Sequence, residues 1–248
     1  MKTQTQLQTR GNAPTVTVRR AEERGSAEHG WLHARFTFSF SGYFNPDHMG
    51  FRSLRVMNND IIESGGGFPT HPHQDMEIFT YVIEGELAHT DSMGNGSVIK
   101  AGDLQYMSAG SGVQHSEFNP SQTNRTHLYQ IWLHPSEPGG APRYAEKPLG
   151  HDATGDELAL LFSGDGRDGS TAIRQNAEIY FGKARPGLAL DVPASESTPH
   201  AWLQVIEGEL TTLGESLHTG DGIAIEDAPD TFSIDASADS TFLLFRLA

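Results

Sequence analysis

The hexapeptide VIEGEL occurs twice in this chain, at 82–87 and again at 205–210. An identical pair of this length arises by chance on the order of once in a thousand chains of this size, so the two copies indicate an internal repeat. A second match supports the repeat, because the turn Ala-Gly-Asp at 101–103 has a counterpart, Thr-Gly-Asp, at 219–221. We therefore expect two copies of one structural unit, the second with a slightly shorter hairpin.

Each copy has the pattern of short β-strands separated by turns. The segment 78–87 is rich in β-branched and aromatic residues, and the alternating run Phe36, Phe38 and Phe40 indicates a strand with its aromatic face in the core. The 27 glycines and 13 prolines imply many turns. The sequence predicts an all-β bicupin, in which two antiparallel β-barrel or jelly-roll domains pack within one chain.

Composition suggests where the domains begin and end. Residues 1–14 have few apolar partners and are expected to form a flexible N-terminal arm. Residues 15–137 would form an N-terminal metal-binding domain whose first strand lies at 15–18. The Pro- and Gly-rich stretch 138–154 is interpreted as a linker, and 155–248 as a C-terminal domain without a metal site.

Two pairs of potential metal ligands lie in the first copy: His71 with His73, and His115 with Glu117. Residues i and i+2 of a strand point to the same face, so two neighbouring strands could direct all four side chains at one point inside a barrel. Three imidazoles and a carboxylate suit a divalent first-row metal with open positions for substrate. The chain has no cysteine, so a metal must be held by nitrogen and oxygen atoms.

Other residues compete for places in this site. Glu77 is the main alternative to Glu117 as the carboxylate ligand. His89 and His127 lie on predicted strands and could also face the pocket, although structural histidines are more common at such positions.

The repeat also predicts which copy holds the metal. When the ligand positions are shifted along the chain by the repeat offset, the first pair falls on Ala194 and Glu196, and the second pair falls on Ser233 and Asp235. The second copy therefore lacks the histidines, and we expect a single metal site, in the first copy.

The formal charge of −15 excludes some partners. An acidic chain repels phosphate backbones, so we expect no direct nucleic-acid binding. No apolar run approaches the roughly 20 residues of a membrane span, and the polar N-terminus has no apolar signal region. The sequence is interpreted as that of a cytoplasmic protein without membrane contact, with a monomer as the default state.

The chain resembles the pirin family. The similarity lies in RFTFSFSGYFNPDHMGF at 35–51, HPHQDMEIFTYVIEGEL at 71–87, HTDSMGNGSVIKAGDLQYMSAGSGVQHSE at 89–117 and HLYQIWL at 127–133. These segments match the N-terminal half of the family in order and spacing, whereas the C-terminal half is similar mainly in its repeat and length.

This resemblance implies a ligand set and a metal. It assigns the metal to His71, His73, His115 and Glu117, and it removes Glu77 from the set. The metal implied is most often Fe(II), and Mn, Ni, Cu, Co and Zn are other divalent ions that this donor set accepts.

The resemblance also implies a function. Bacterial members are associated with quercetin 2,3-dioxygenase activity, the O₂-dependent opening of a flavonol with loss of CO, with Glu117 as the catalytic proton acceptor. The alternatives are a non-enzymatic, metal- or redox-dependent regulatory or protein-binding module, and a different cupin enzyme acting on another enol or diol.

Overall fold

The computed structural model describes residues 13–149 and 157–248. Nearly all regular structure in these ranges is β-strand, with two short 3₁₀ helices at Ala21–Glu23 and Arg167–Gly169. Within the described ranges, no helix has the length and apolarity needed to cross a membrane. Most of the predicted arm, and the end of the predicted linker from 150 onward, lie outside the described residues.

Strands of the first half of the chain are β1 (Thr15–Arg19), β2 (Gly25–Glu28), β3 (Leu32–Phe36), β4 (Leu54–Ile62), β5 (Gly67–His73), β6 (Glu77–Glu84), β7 (Glu86–Asp91), β8 (Gly96–Lys100), β9 (Asp103–Ser108), β10 (Val113–Phe118), β11 (Thr126–Leu133) and β12 (Arg143–Pro148). Strands of the second half are β13 (Glu157–Ser163), β14 (Thr171–Ala172), β15 (Ala177–Ala184), β16 (Ala189–Val192), β17 (His200–Glu207), β18 (Glu209–Thr212), β19 (Glu215–His218), β20 (Gly222–Glu226), β21 (Phe232–Ala236) and β22 (Ser240–Leu247).

These strands build two barrels with the same strand order. In the first barrel a seven-stranded sheet, β12-β9-β6-β11-β4-β3-β2, lies against a four-stranded sheet, β5-β10-β7-β8. In the second, β1-β20-β17-β22-β15-β13-β14 lies against β16-β21-β18-β19. Apolar side chains from both sheets fill each interior. The two VIEGEL copies begin in the last residues of β6 and β17, and these two strands hold equivalent places in their barrels. The predicted all-β bicupin is therefore confirmed.

Two edge strands lie in places that the sequence did not indicate. The strand β1, expected in the first domain, pairs with β20 of the second barrel, where Val16 and Val18 pack against that barrel's core. The strand β12, expected within a linker, pairs with β9 of the first barrel. Each covers an otherwise unpaired sheet edge, and edge pairing is set by backbone hydrogen bonds that carry little sequence signal.

The outer faces of the two seven-stranded sheets pack against each other. Alternate residues of β6 therefore face different cores, with Phe79 in the interface and Val82 in the first barrel. Phe79 meets Phe162 of the second barrel edge to face, with ring centroids 5.0 Å apart. A shared apolar core thus joins the two halves of the chain.

The aromatic run 36–40 does not continue as one strand. The strand β3 ends at Phe36, which lies in the core of the first barrel. Phe38 packs against Trp202 in the interface between the barrels, with ring centroids 5.1 Å apart. Phe40 is only partly buried and lies edge-on to Trp132. Phe36 and Phe38 are therefore core residues, as expected, but they belong to two different cores, and Phe40 lies at the margin of the first.

Candidate metal centre

The two predicted histidine-bearing strands are neighbours in the first barrel. The strands β5 and β10 pair antiparallel, which places His115 directly opposite His71. The ring centroid of His71 lies 4.8 Å from that of His73 and 4.5 Å from that of His115, and the His73 and His115 centroids are 4.8 Å apart. The three imidazoles thus converge on one point.

Glu117 is brought to the same interior by a break in register. The pairing of β10 with β5 shifts between His115 and Glu117, so that Glu117 lies opposite Phe68. The carboxylate is buried and accepts hydrogen bonds from the Thr80 hydroxyl at 3.4 Å and from the Gln130 side-chain amide at 3.1 Å. Strands from both sheets therefore fix its position.

The arrangement fits a divalent metal. Donor atoms of His71, His73 and His115 all lie within 4.8 Å of one another, as do those of His89, His115 and Glu117. The Nδ1 of His71 is 2.8 Å from the Pro69 carbonyl oxygen, so Nδ1 donates and Nε2 keeps its lone pair for a metal. The buried Nδ1 of His115 has no hydrogen-bond partner. The residues thus offer the nitrogen and oxygen donors that such an ion requires.

Burial adjusts the charge of these groups. It lowers the pKa of His73 to about 4 and that of His115 to about 3, so both rings are neutral at neutral pH, which is the ligand form. Burial raises the pKa of Glu117 to about 7, against the opposing effect of hydrogen bonds from Gln130 and Thr80.

Glu77 lies on the face of β6 that points away from the candidate ligands. Its carboxylate accepts hydrogen bonds from the hydroxyl of Tyr106 at 2.5 Å, from the hydroxyl of Ser108 at 2.5 Å and from the backbone N–H of Arg174 at 3.0 Å. Arg174 belongs to the second half of the chain, so this glutamate links the two barrels. It does not face the histidines.

The two histidines left open by the sequence differ in position. His89 is buried with its ring centroid 5.3 Å from that of His115, and its Nδ1 and Nε2 contact Gln105 and Asp91. It therefore adjoins the candidate ligands. His127 instead contacts the side-chain amide of Asn59 at 2.7 Å.

Sequence reasoning missed the polar lining of the first barrel. Thr80 and Gln130 hold Glu117, and Asn58 and Asp60 are buried on β4. Burial, aided by the negative charge of Glu117, raises the pKa of Asp60 to about 8. The sequence did carry a signal for this lining. Asn58 and Asp60 are polar residues two positions apart in the largely apolar strand β4, and residues with this spacing share one face.

An aromatic cavity of about 480 Å³ adjoins this lining. Its walls include the rings of Trp31, Phe36, Phe40 and Phe68, together with Asp60. Phe68 links the cavity to the candidate ligands, since it lies opposite Glu117 in register, and its ring centroid is 6.4 Å from that of His71. The cavity therefore lies next to the candidate ligands, with Phe68 between them, although none of the three histidines lines it.

The second barrel has apolar residues in the equivalent places. The pairing of β21 with β16 and β18 makes Phe232 the counterpart of His115 and Ile234 that of Glu117. The repeat offset had predicted Ser233 and Asp235 as the counterparts. Each is displaced by one residue from the true counterpart, so its side chain lies on the opposite face of the strand. Thr80 and Gln130 likewise correspond to a pair of leucines on β17 and β22.

Comparisons with known proteins agree with this architecture. The Pirin family model matches residues 17–133, and the family described as the quercetinase C-terminal cupin domain matches residues 160–247. A protein of Escherichia coli K12 named quercetin 2,3-dioxygenase is 48% identical over 234 residues, which are 94% of this chain and 98% of that protein.

Two solved structures are similar over almost the same extent. YhhW from Escherichia coli has a TM-score of 0.89 at 46% identity and covers 94% of this chain and 98% of its own. The bacterial pirin YhhW in complex with nickel(II) has a TM-score of 0.88 at 45% identity and covers 94% and 99%. On this likeness over nearly its whole length, the chain belongs to the pirin family.

Proposed function

We propose that this protein is a flavonol dioxygenase of the quercetin 2,3-dioxygenase type, with its metal held by His71, His73, His115 and Glu117. The observation that carries the proposal is the convergence of three imidazoles, one of which, His115, also lies close to the buried carboxylate of Glu117, next to an aromatic cavity. The E. coli relative named quercetin 2,3-dioxygenase supports the substrate class.

The proposed metal is Fe(II), with nickel as a second candidate because a related pirin was solved in complex with nickel(II). A bound divalent ion would supply Lewis acidity that lowers the pKa of the flavonol 3-hydroxyl. The imidazoles of His73 and His115 are neutral at neutral pH, so protons do not compete strongly for their nitrogens.

Glu117 is the proposed acceptor of the 3-hydroxyl proton. The Gln130 amide and the Thr80 hydroxyl hold the carboxylate in one orientation, and a positioned carboxylate is an efficient general base. Trp31, Phe40 and Phe68 offer apolar faces for the flavonol rings and exclude water. In the overall reaction both atoms of O₂ enter the ring-opened ester, and one carbon leaves as carbon monoxide.

An oxygen-electrode assay tests the proposal. Protein purified without chelator or nickel affinity is analysed for metal, stripped, and reloaded separately with Fe(II), Mn(II), Ni(II), Cu(II), Co(II) or Zn(II). We expect quercetin-dependent O₂ uptake with equimolar CO release for at least one metal. His73→Ala should abolish both metal binding and uptake, whereas the matched control His127→Gln should retain both.

No O₂ uptake with any of these metals would overturn the dioxygenase assignment. The regulatory-module alternative predicts bound metal without flavonol-dependent O₂ consumption, so the same assay separates the two. The monomeric state and the cytoplasmic location remain predictions from sequence.

A further inference from the structure

Asp60 is a buried acidic residue in the wall of the aromatic cavity. It lies on β4 with only 4% of its surface exposed, and its Oδ1 has no hydrogen-bond partner. Leaving a buried polar group unpaired is costly, and native structures leave few such groups. An unpaired carboxyl oxygen at a cavity wall indicates a group kept for a ligand.

Other buried carboxyl groups in the described part of the chain are paired within the protein. Glu77 accepts three hydrogen bonds across the barrel interface. Glu178 accepts hydrogen bonds from Tyr180, Ser195 and Thr198. Asp60 differs from these groups in having no such donors near its Oδ1.

The surroundings of Asp60 define what it would bind. Aromatic rings form the walls, and the cavity volume of about 480 Å³ lies within the range of small-molecule sites. A planar ligand would stack on these rings, and a hydroxyl at its edge would match the carboxyl group in either protonation state, because a hydroxyl both donates and accepts a hydrogen bond. The chemistry of the wall therefore selects a phenol.

Asp60 is also offset along β4 from the residue that holds Glu117. Its strand neighbour Asn58 pairs with Gln130, the residue that donates to Glu117. Asp60 is two residues further along β4, which puts its side chain on the same face but past Gln130. A flavonol with its 3-hydroxyl at Glu117 would therefore meet Asp60 through a neighbouring part of the molecule.

We propose that Asp60 is a specificity-determining residue, whose carboxyl group accepts a hydrogen bond from a phenolic hydroxyl on the flavonol ring that enters the aromatic cavity. This inference rests on the proposed function and adds to it a preference for hydroxylated flavonols. A site that hydrogen-bonds a substrate hydroxyl discriminates strongly against the analogue that lacks it.

The test compares quercetin with 3-hydroxyflavone, which keeps the reacting hydroxyl but lacks the other phenols. We expect Asp60→Leu, which keeps the branching of the side chain but has no acceptor, to lower kcat/KM for quercetin by about 10- to 100-fold. For 3-hydroxyflavone kcat/KM should change by less than about 3-fold. Asp60→Asn retains a carbonyl acceptor and should restore most of the preference.

Glu178→Gln serves as the control, since it alters a buried carboxylate of the second barrel and should leave the substrate ratio unchanged. Metal content is measured for every variant. An equal loss for both flavonols in Asp60→Leu, or no loss for either, would overturn the specificity role.

Anaerobic binding, followed by quenching of tryptophan fluorescence in metal-loaded protein, separates this inference from the proposed activity. If wild-type protein cleaves neither flavonol, the dioxygenase proposal fails. The Asp60 proposal then still requires that wild-type protein bind quercetin more tightly than 3-hydroxyflavone, and that Asp60→Leu remove this difference. Unchanged binding selectivity would refute it.

Discussion

At the scale of single residues, Glu117 has the most specific proposed role, because it is assigned both as a metal ligand and as the general base. We expect Glu117→Gln to lower quercetin-dependent O₂ uptake by at least about 100-fold, because general-base catalysis contributes 10²–10⁴-fold and an amide does not accept the proton. Turnover is measured per bound metal, which separates a lost base from a lost ligand. Full flavonol cleavage by the metal-loaded variant would contradict the assignment of Glu117 as the base.

Asp60 permits a prediction about pH that is independent of catalysis. In the metal-free protein burial raises its pKa from 3.8 to about 8, so between these values the folded state holds a proton that the unfolded state releases. Stability from this group is therefore lost as pH rises. Asp60→Asn should gain stability relative to wild type between pH 5 and pH 7, by about 2–3 kcal/mol, measured by urea unfolding.

A control with the opposite sign is available at Asp165. This residue is exposed, and hydrogen bonds, the first of them from Ser163, lower the pKa of its carboxyl group. Asp165→Asn should therefore lose stability relative to wild type as pH rises through the acid range. A pH-independent difference between wild type and Asp60→Asn would show that Asp60 is ionised in the folded protein.

At the scale of strands, the sequence predicted well what depends on alternation within one strand. His71 and His73 share a face, as do His115 and Glu117, because side-chain direction has a period of two. The sequence did not indicate the partners of the edge strands β1 and β12, since edge pairing depends on the backbone. It also could not place the ligands' counterparts, because a one-residue difference in loop length reverses the face.

The strand β15 shows how tightly the second barrel is packed. A Cβ atom at Gly182 would lie 2.1 Å from the ring of Phe242, which is fully buried in that barrel's core. We expect Gly182→Ala to destabilise the protein by about 1–3 kcal/mol, since overpacking forces the ring or the backbone to move. Urea unfolding measures the effect.

Gly42 provides the matched comparison, because a Cβ atom there meets nothing within 4 Å. Gly42→Ala should change the free energy of unfolding by less than about 0.5 kcal/mol. Equal effects of the two substitutions would show that the contact between Gly182 and Phe242 is not limiting.

At the scale of the whole molecule, the two barrels keep one strand order and differ in what fills them. The first places Thr80, Gln130 and Glu117 in its interior, and the second places leucine, leucine and isoleucine at the same positions. An apolar interior stabilises a barrel, whereas a polar interior leaves buried groups that need partners. We therefore expect the second barrel to stabilise the first through the interface.

That division of roles predicts cooperative unfolding. Phe162 of the second barrel is fully buried in the shared core and contacts Phe79 and Tyr106 of the first. Phe162→Ala should cost about 3–5 kcal/mol, because a large cavity would open between the barrels. In a Trp202→Phe background the two remaining tryptophans, Trp31 and Trp132, report on the first barrel alone.

In that background, tryptophan fluorescence follows the unfolding of the first barrel, and far-ultraviolet circular dichroism follows that of the whole chain. Phe162→Ala should shift both transitions to the same lower urea concentration. Coincident transitions are the mark of one cooperative unit. If the tryptophans of the first barrel kept their midpoint while circular dichroism showed an earlier loss of strands, the barrels would unfold independently. The interface would then join two self-sufficient domains and would not stabilise the metal-bearing one.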